Sequence, residues 1–556
     1  MATNRTNVTF NDGTVIEVEK GTTIYELSKL YKSSMSYSIV GAEIDNETVP
    51  METKITRATK LEFIDVTSTN GYKINKSGLE FVTEVALKET FGDGYEVTFD
   101  HSIANGIHMT IICDKKFSLT DAKKLKTKMN EIIANDERIY NLNVEKKEAI
   151  NYYNKVKAPE KAQNIHNLTN NIVTVYKLRN YINYFYSEMP YSTGCLNKYD
   201  LVFLGDNKLV LLFPSPNAKY KVPEYIHYQN VIKCFEEGKK WINALGLPYI
   251  PDLNKKISDC EIEDLIKLVE TNFNNEIHDL VDDIIKKNAR YVLFAGPSSS
   301  GKTTTTKKVA LQLRSRGYEV LVISVDNYFK DKKDTPKDEK GNYDFECLQA
   351  LDLKLLNKQL KDLIQGKKVN LPEYNFVSGV KEYNNEPIKL GEKAIILMEG
   401  LHCLNDEMTP DLDANLKYKV YLSPFIPINV DRHNYISTTD LRLMRRIVRD
   451  NRTRATDVGA TINYWNSVRS GEEKYIFPYI NNVNKIVNTS LIYEVGVLKV
   501  FVEPLLYSVK SNSSAYNEAR RLINSLRGFY PIPSDYVGDD SILREFIGKS
   551  AFETYK

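Results

Sequence analysis

The octapeptide Gly296-Pro-Ser-Ser-Ser-Gly301-Lys302-Thr303 narrows the possible folds of this chain more than any other feature. It fits GxxxxGK[ST] at every position, and its flanks have the required character. Before it, Arg290-Tyr-Val-Leu-Phe-Ala295 is a short apolar run of strand type. After it, Val309, Leu311 and Leu313 mark a helix that Gly317 ends. Strand, glycine-rich loop and helix in that order turn successive backbone N–H groups inward at a helix N-terminus and form an anion nest. The expected ligand is a nucleoside triphosphate, held by Gly296, Pro297, Ser298, Ser299, Ser300, Gly301, Lys302, Thr303 and Thr304. Lys302 can reach the β- and γ-phosphates, and the Thr303 hydroxyl can sit on Mg²⁺.

Downstream, strand and helix patterns alternate, which predicts a parallel α/β sheet. The next strand, Glu319–Val325, runs into Asp326, and a later one, Ala394–Met398, into Glu399. A carboxylate at the carboxyl end of a parallel strand faces the ligand crevice. Asp326 could take a proton from an attacking hydroxyl there, and Glu399 holds the position of a Walker B acid. Six arginines follow within Leu441–Arg454, offset inside the stretch only by Asp450. Arg442, Arg446 and Arg449 fall on one helical face, suited to bidentate phosphate contact and to closing as a lid.

Composition adds mainly exclusions. The chain has 556 residues, enough for three or four domains at about 100–200 residues each. Lys+Arg is 75 against 73 Asp+Glu, so charge makes no case for stable nucleic-acid binding. No apolar run approaches the roughly 18 residues of a membrane span. The opening MATNRTNVTF lacks the apolar core of a secretion signal, and six scattered cysteines form no CxxC pair, so a reducing cytoplasm is expected. Oligomeric state is left open.

Residues 1–66 read as a β-rich unit. Asn7–Phe10 and Val15–Val18 flank Asn11-Asp12-Gly13, the mark of a two-residue hairpin turn. A helix with Thr22 or Thr23 as N-cap and Ile24, Leu27 and Leu30 inward follows, then strands near Ser38–Val40 and Lys60–Phe63. This order resembles the TGS domain, a β-grasp unit of threonyl-tRNA synthetases and some GTPases. Residues 70–245 predict helices at Leu79–Thr90 and Leu119–Asn135 and resemble the α+β second domain of threonyl-tRNA synthetases. That domain's editing activity depends on HxxxH at the start of its first helix. The matching Asn75-Lys76-Ser77-Gly78-Leu79-Glu80-Phe81 has no histidine, so editing is not expected. Contact of these units with tRNA has no support from composition. Residues 250–288 read as a helical connector, and residues 289–556 as the α/β domain.

That last portion resembles the uridine/cytidine kinase and phosphoribulokinase family of P-loop kinases. The matching stretches are Gly296–Thr303, Ile323–Phe329, Asn342-Tyr-Asp344, Leu371–Phe376, Glu399-Gly400 and Leu443–Asp450. The resemblance implies an ATP-dependent phosphotransferase whose acceptor is a nucleoside 5′-hydroxyl, uridine or cytidine. It implies catalytic roles for Asp326, Lys302, Arg446 and Arg449, and Arg454 at ATP. It implies acceptor contacts from Asp326, Tyr328, Asp344, Tyr374, Phe376, Arg446 and Arg449, with Thr303 and Glu399 at Mg²⁺. Gly379 stands where the family carries a base-reading histidine, and Thr456 where it has its last lid arginine, so the nucleobase stays open. Two other readings are kept. A GTPase would use Asn197-Lys-Tyr-Asp200 as NKxD and Asp338-Glu-Lys-Gly341 as DxxG; a sensing protein would retain a degenerate kinase domain.

Overall fold

Val8, Phe10 and Leu61 are buried in the core of the first unit of this computed structural model, which describes residues 4–31, 37–103, 106–215, 220–337, 341, 343–375, 378–384 and 386–553. The first unit comprises β1 (Arg5–Phe10), β2 (Val15–Glu19), α1 (Ile24–Tyr31), β3 (Ile39–Ile44), β4 (Glu47–Val49) and β5 (Thr59–Asp65). Its sheet runs β2-β1-β5-β3-β4, with β1 and β5 parallel and the other pairs antiparallel. The turn spans residues 11–14 rather than two residues, because Asp12 Oδ1 accepts from Thr14 N (2.9 Å) and Gly13 takes φ +82°. Thr23 caps α1 by exchanging hydrogen bonds with Glu26. Ile24, Leu27 and Ser28 face inward, while Leu30, expected there too, is 74% exposed. The likeness of this unit to TGS domains rests on the sequence.

The second region holds α2 (Thr69–Phe91), β6 (Glu96–Ile103), β7 (Gly106–Ile112), α3 (Leu119–Ala134), β8 (Tyr140–Glu145), α4 (Lys146–Lys155), α5 (Pro159–Asn167), β9 (Ile172–Leu178), β10 (Tyr181–Asn183), β11 (Asp200–Gly205) and β12 (Lys208–Leu212). A four-stranded antiparallel sheet, β11-β12-β7-β6, packs on α2 and α3; a three-stranded one, β10-β9-β8, packs on α4 and α5. Ser118 and Asp121 close a capping box on α3. Helix α2 starts earlier than the apolar periodicity predicts. Ser68 caps it by accepting from Gly71 N (3.0 Å), so Asn75–Glu80 lies inside the helix and not at its start.

Three helices follow: α6 (Gln229–Ala244), α7 (Ile250–Ser258) and α8 (Ile262–Lys286). The last two fall in the stretch 250–288 expected to be a connector, and α6 in the 70–245 region. The apolar stripe of α8, from Ile262 to Ile284, joins the core of the parallel sheet, and Val231 and Phe235 of α6 join its other face. One continuous stripe at helical spacing makes α8 a single helix of 25 residues.

The remaining elements are β13 (Tyr291–Ala295), α9 (Lys302–Ser315), β14 (Val320–Ser324), α10 (Leu353–Ile364), β15 (Glu373–Asn375), β16 (Val380–Glu382), β17 (Ile395–Glu399), β18 (Lys417–Ser423), α11 (Thr438–Arg454), α12 (Val458–Tyr475), β19 (Lys485–Asn488), α13 (Glu494–Tyr507), α14 (Tyr516–Leu526) and α15 (Arg544–Ile547). The expected parallel sheet has the order β14-β17-β13-β18-β19. Both faces are covered, so β13 alternates between two cores: Val292 and Phe294 meet α8 and α9, and Leu293 and Ala295 meet the α6 and α10 side. The inward face of α9 is Val309, Ala310 and Leu313; Leu311 is exposed.

The second region is tied into this sheet's surroundings. Phe99 N donates to Arg432 O (2.9 Å), and Asn164 Nδ2 to Val430 O (2.8 Å). Lys161 Nζ lies 3.3 Å from Asp431, both side chains buried. Among the described residues the six cysteines are free, and no helix is long and apolar enough to cross a membrane.

Candidate active site

The loop after β13 closes through backbone conformations that its sequence permits. A Cβ on Gly296 would lie 2.3 Å from Leu422 O, so only glycine fits between β13 and β18. Ser299 at φ +59° and Gly301 at φ +82° turn the intervening amides inward. Lys302 opens α9, and its Nζ donates to Gly296 O (2.9 Å) and Pro297 O (3.3 Å), curled over the loop. Thr303 is exposed on the first turn, while Thr304 is buried.

Sheet register brings the carboxylates to this loop. Glu399 ends β17 and lies opposite both Phe294 of β13 and Ser324 of β14. Asp326 stands just past β14, in a single 3-10 turn over Val325–Tyr328. Its carboxylate is open to the cleft yet ringed by protein. Desolvation there pushes it above the usual range, and the charges of Lys302 and Arg454 oppose that. Desolvation and the neighbouring Asp326 push Glu399 up to about 7, again opposed by Lys302. Lys302, Asp326 and Glu399 therefore form one electrostatic group, drawn from the ends of three adjacent strands.

The arginine helix α11 divides its work. Arg442 and Arg445, both buried, pair with Glu472 of α12 and Glu494 of α13 and donate to the loop carbonyls of Ser298 (3.2 Å) and Ser299 (3.3 Å). The counter-ions that the helix's own sequence lacks come from these two neighbours. Arg442 therefore acts as a scaffold for the loop, unlike the phosphate-facing role its position with Arg446 and Arg449 predicts. Arg446 and Arg449 share Asp450 (3.1 and 2.8 Å), and Arg446 Nη1 donates to Ser298 Oγ (3.0 Å). Arg454 is largely exposed, 3.6 Å from Asp450.

The expected acceptor residues are less uniform. Tyr328 is buried in the core and its hydroxyl donates to Gln359 Oε1 (2.7 Å), so in this structure it packs instead of facing an acceptor. Tyr374 is buried edge-to-face against Phe329. Asp344 is half-buried and accepts from Glu346 N (3.0 Å). Phe376 and Asn342 lie outside the described residues. Gly379 takes φ +72°, its carbonyl accepts from Lys332 N (2.8 Å), and a Cβ there would lie 2.9 Å from Lys332 Cβ. A histidine would be strained at this turn.

Three residues escaped the sequence reading. Glu346 is pushed up to about 7 by desolvation and by the charges of Glu472 and Asp326. Its nearness to Asp326 follows from a long excursion that no periodicity announces. Glu472 accepts from Ser298 N (3.3 Å), and Glu545 from Thr304. Both belong to helices distant in sequence. The GTPase motif does not converge with the loop: Asp200 starts β11 on a separate sheet, paired with Lys126 at 2.6 Å. Part of the DxxG stretch, residues 338–340, is outside the described residues.

The donor set suits Mg²⁺, which keeps several waters and takes one or two protein oxygens beside substrate phosphates. Thr303 offers a hydroxyl and Glu399 a carboxylate, both hard oxygens at the loop. Among the described residues no group of three or more His, Cys, Asp or Glu could hold a metal alone.

Residues 292–492 match the family described as Phosphoribulokinase / Uridine kinase family. The chain is 29% identical over 219 residues to the uridine kinase of Staphylococcus aureus (strain JH9), covering 39% of this chain and 94% of that protein. Among solved structures, a possible uridine kinase from Bacillus stearothermophilus aligns at 22% identity and a TM-score of 0.22, over 26% of this chain and 80% of that one. A D-glycerate 3-kinase from Cryptococcus neoformans aligns at 12% identity and a TM-score of 0.22, over 45% of this chain and 87% of that one. The loop, both strand-end carboxylates and the arginine helix all fall within the matched segment, and the C-terminal part of this chain carries a Phosphoribulokinase / Uridine kinase family domain.

Proposed function

We propose that this protein is an ATP-dependent nucleoside kinase that transfers the γ-phosphoryl group to the 5′-hydroxyl of a nucleoside, uridine or cytidine in the first instance. The observation that carries this reading is the convergence of Lys302, Asp326 and Glu399 at the carboxyl ends of three neighbouring parallel strands. The likeness to uridine kinases supports the acceptor class.

In this reading Asp326 accepts a hydrogen bond from the acceptor hydroxyl and takes its proton as the new O–P bond forms and the bond to the β-phosphate oxygen breaks. The loop amides hold the phosphates, and Lys302 swings from the Gly296 and Pro297 carbonyls to the β- and γ-phosphates. Arg446 and Arg449 neutralise developing charge from above. Thr303 and Glu399 would hold Mg²⁺, which supplies charge neutralisation at the phosphates. By the same resemblance Asp344 and Tyr374 would contact the acceptor beside Asp326, Arg446 and Arg449. Without the histidine replaced at Gly379, one base-edge hydrogen bond is lost, about 1–3 kcal/mol or ten- to hundredfold in selectivity.

The test is a screen of nucleosides and sugar phosphates for ATP-dependent phosphorylation by the purified chain, with GTP as alternative donor. Product formation with a pyrimidine nucleoside is expected. Nucleotide hydrolysis indifferent to every acceptor would overturn the kinase assignment.

A further inference from the structure

Thr304, third residue of α9, already has an anion on it. Its backbone N–H and its hydroxyl both donate to Glu545 Oε2, at 3.2 and 2.8 Å. First-turn amides have no acceptor within their own helix and attract anions. In a phosphate-binding loop these amides cradle the α- and β-phosphates. A carboxylate oxygen is the same kind of partner as a phosphate oxygen, charged and acceptor-only.

Several contacts fix this carboxylate in place. Glu545 lies on α15, which is wedged between the loop helix α9 and the arginine helix α11. Arg452 donates to the carbonyls of Glu545 (3.2 Å) and Phe546 (3.3 Å), and the Arg445 guanidinium lies 4.8 Å from the Phe546 ring centre. On the other side, Lys308 Nζ reaches Asp540 Oδ2 (2.7 Å) and Lys307 Nζ reaches Phe552 O (2.8 Å). Ile542 packs so closely on Gly301 that a Cβ there would lie 2.5 Å from Ile542 Cδ1.

We propose that Glu545 is an internal stand-in for a nucleotide phosphate. It holds the Thr304 subsite, and the α/β-phosphates of a nucleoside di- or triphosphate must displace it to bind. Nucleotide entry is thereby coupled to outward movement of α15 and to release of Arg452, which anchors that helix from α11. The inference rests on the reading of the loop as a nucleotide site.

The experiment uses the full chain, wild type and the variants Glu545→Gln and Glu545→Ala, titrated with ATP and ADP by calorimetry. Loss of the competing charge is expected to tighten binding of both nucleotides about tenfold, the scale of one charge-assisted hydrogen bond. Hydrogen exchange on the wild type supplies a readout free of any variant's folding: amides of residues 541–553 should exchange faster when ATP is added. Wild-type ATP binding with unchanged or weaker affinity in the variants would overturn the stand-in, as would slower exchange over 541–553. Absence of ATP binding by the folded wild type would instead remove the nucleotide reading, and the stand-in with it.

Discussion

Glu472 and Arg442 form a buried bidentate pair, Nη2 to Oε2 at 2.8 Å, that grips both sides of one loop residue. Arg442 Nη1 donates to Ser298 O (3.2 Å), and Glu472 Oε1 accepts from Ser298 N (3.3 Å). Arg469 adds a second guanidinium on Glu472 Oε2 at 2.8 Å. Desolvation works to raise the Glu472 carboxyl, but Arg442 and Arg469 outweigh it and hold it below its ordinary range. The first half of the phosphate loop is thus shaped by protein ions.

Glu472→Gln keeps the side chain's size and removes its charge. Arg442 would be left buried without a counter-ion, so a loss of about 3–5 kcal/mol in stability is expected, with weaker ATP binding. A thermal melt and an ATP titration check this. An unchanged melting temperature would show that the pair does not hold the loop.

Lys302→Ala should abolish phosphoryl transfer while sparing the fold, because the described contacts of Lys302 are two loop carbonyls and the charges of the cleft. Turnover near the wild-type rate in the folded variant would contradict the assignment of the loop.

The loop and the strand-end carboxylates were legible in the sequence because each is a local pattern: an apolar run, then a glycine or an acid. The Thr23 N-cap of α1 was legible too, as a local threonine before an apolar helical run. Where reading failed, the determining partner lay far along the chain. Nothing near Arg442 announces Glu472, and nothing in the stripe of α8 says which core it joins. Tyr328 is an acceptor contact only through the family resemblance, and its hydroxyl goes instead to Gln359 on α10.

Lys161→Met tests how firmly the second region is joined to the loop before α11. The Lys161 ammonium is 3.3 Å from Asp431 and 2.5 Å from Asn183 Oδ1, all buried. Removing it strands the Asp431 carboxylate, which keeps Tyr184 and Asn434 as hydrogen-bond donors. A loss of about 3 kcal/mol is expected. A change below 0.5 kcal/mol, roughly that of a surface substitution, would refute the coupling.

Glu346 gives a pH signature. Its carboxyl stands at about 7 in the fold, against an ordinary value of 4.5, chiefly through desolvation and then the charges of Glu472 and Asp326. Below the ordinary value both folded and unfolded forms are protonated, and Glu346 contributes nothing to stability. Between 4.5 and about 7 the unfolded chain ionises first, so stability falls as pH rises, and the penalty is complete above about 7. Glu346→Gln cannot ionise. It should stabilise the protein by about 1–2 kcal/mol at pH 8, discounted for partial exposure, and very little near pH 4.5. Melting curves across this range decide it; a difference that does not grow with pH would exclude the mechanism.

Asp326→Asn bears most directly on chemistry. Asp326 follows β14 directly, and its carboxylate shares the cleft with Lys302 and Glu399. Asparagine keeps the size and one accepting oxygen but removes the charge and the basicity. General-base contributions are typically about 10²–10⁴-fold, or roughly 3–5 kcal/mol, so kcat should fall by that factor. ATP affinity should change little, because Lys302 and the loop amides are untouched. Desolvation raises the Asp326 carboxyl against the opposing charges of Lys302 and Arg454, so the wild-type rate should also fall as pH drops through that raised value, whereas the residual rate of the variant should lose this dependence. Were Asp326 only a turn former, the variant would keep kcat within a few-fold and lose about 1 kcal/mol of stability. Steady-state kinetics with the best acceptor, run beside a thermal melt, separates the two, and an unchanged kcat in folded protein would remove Asp326 from the mechanism.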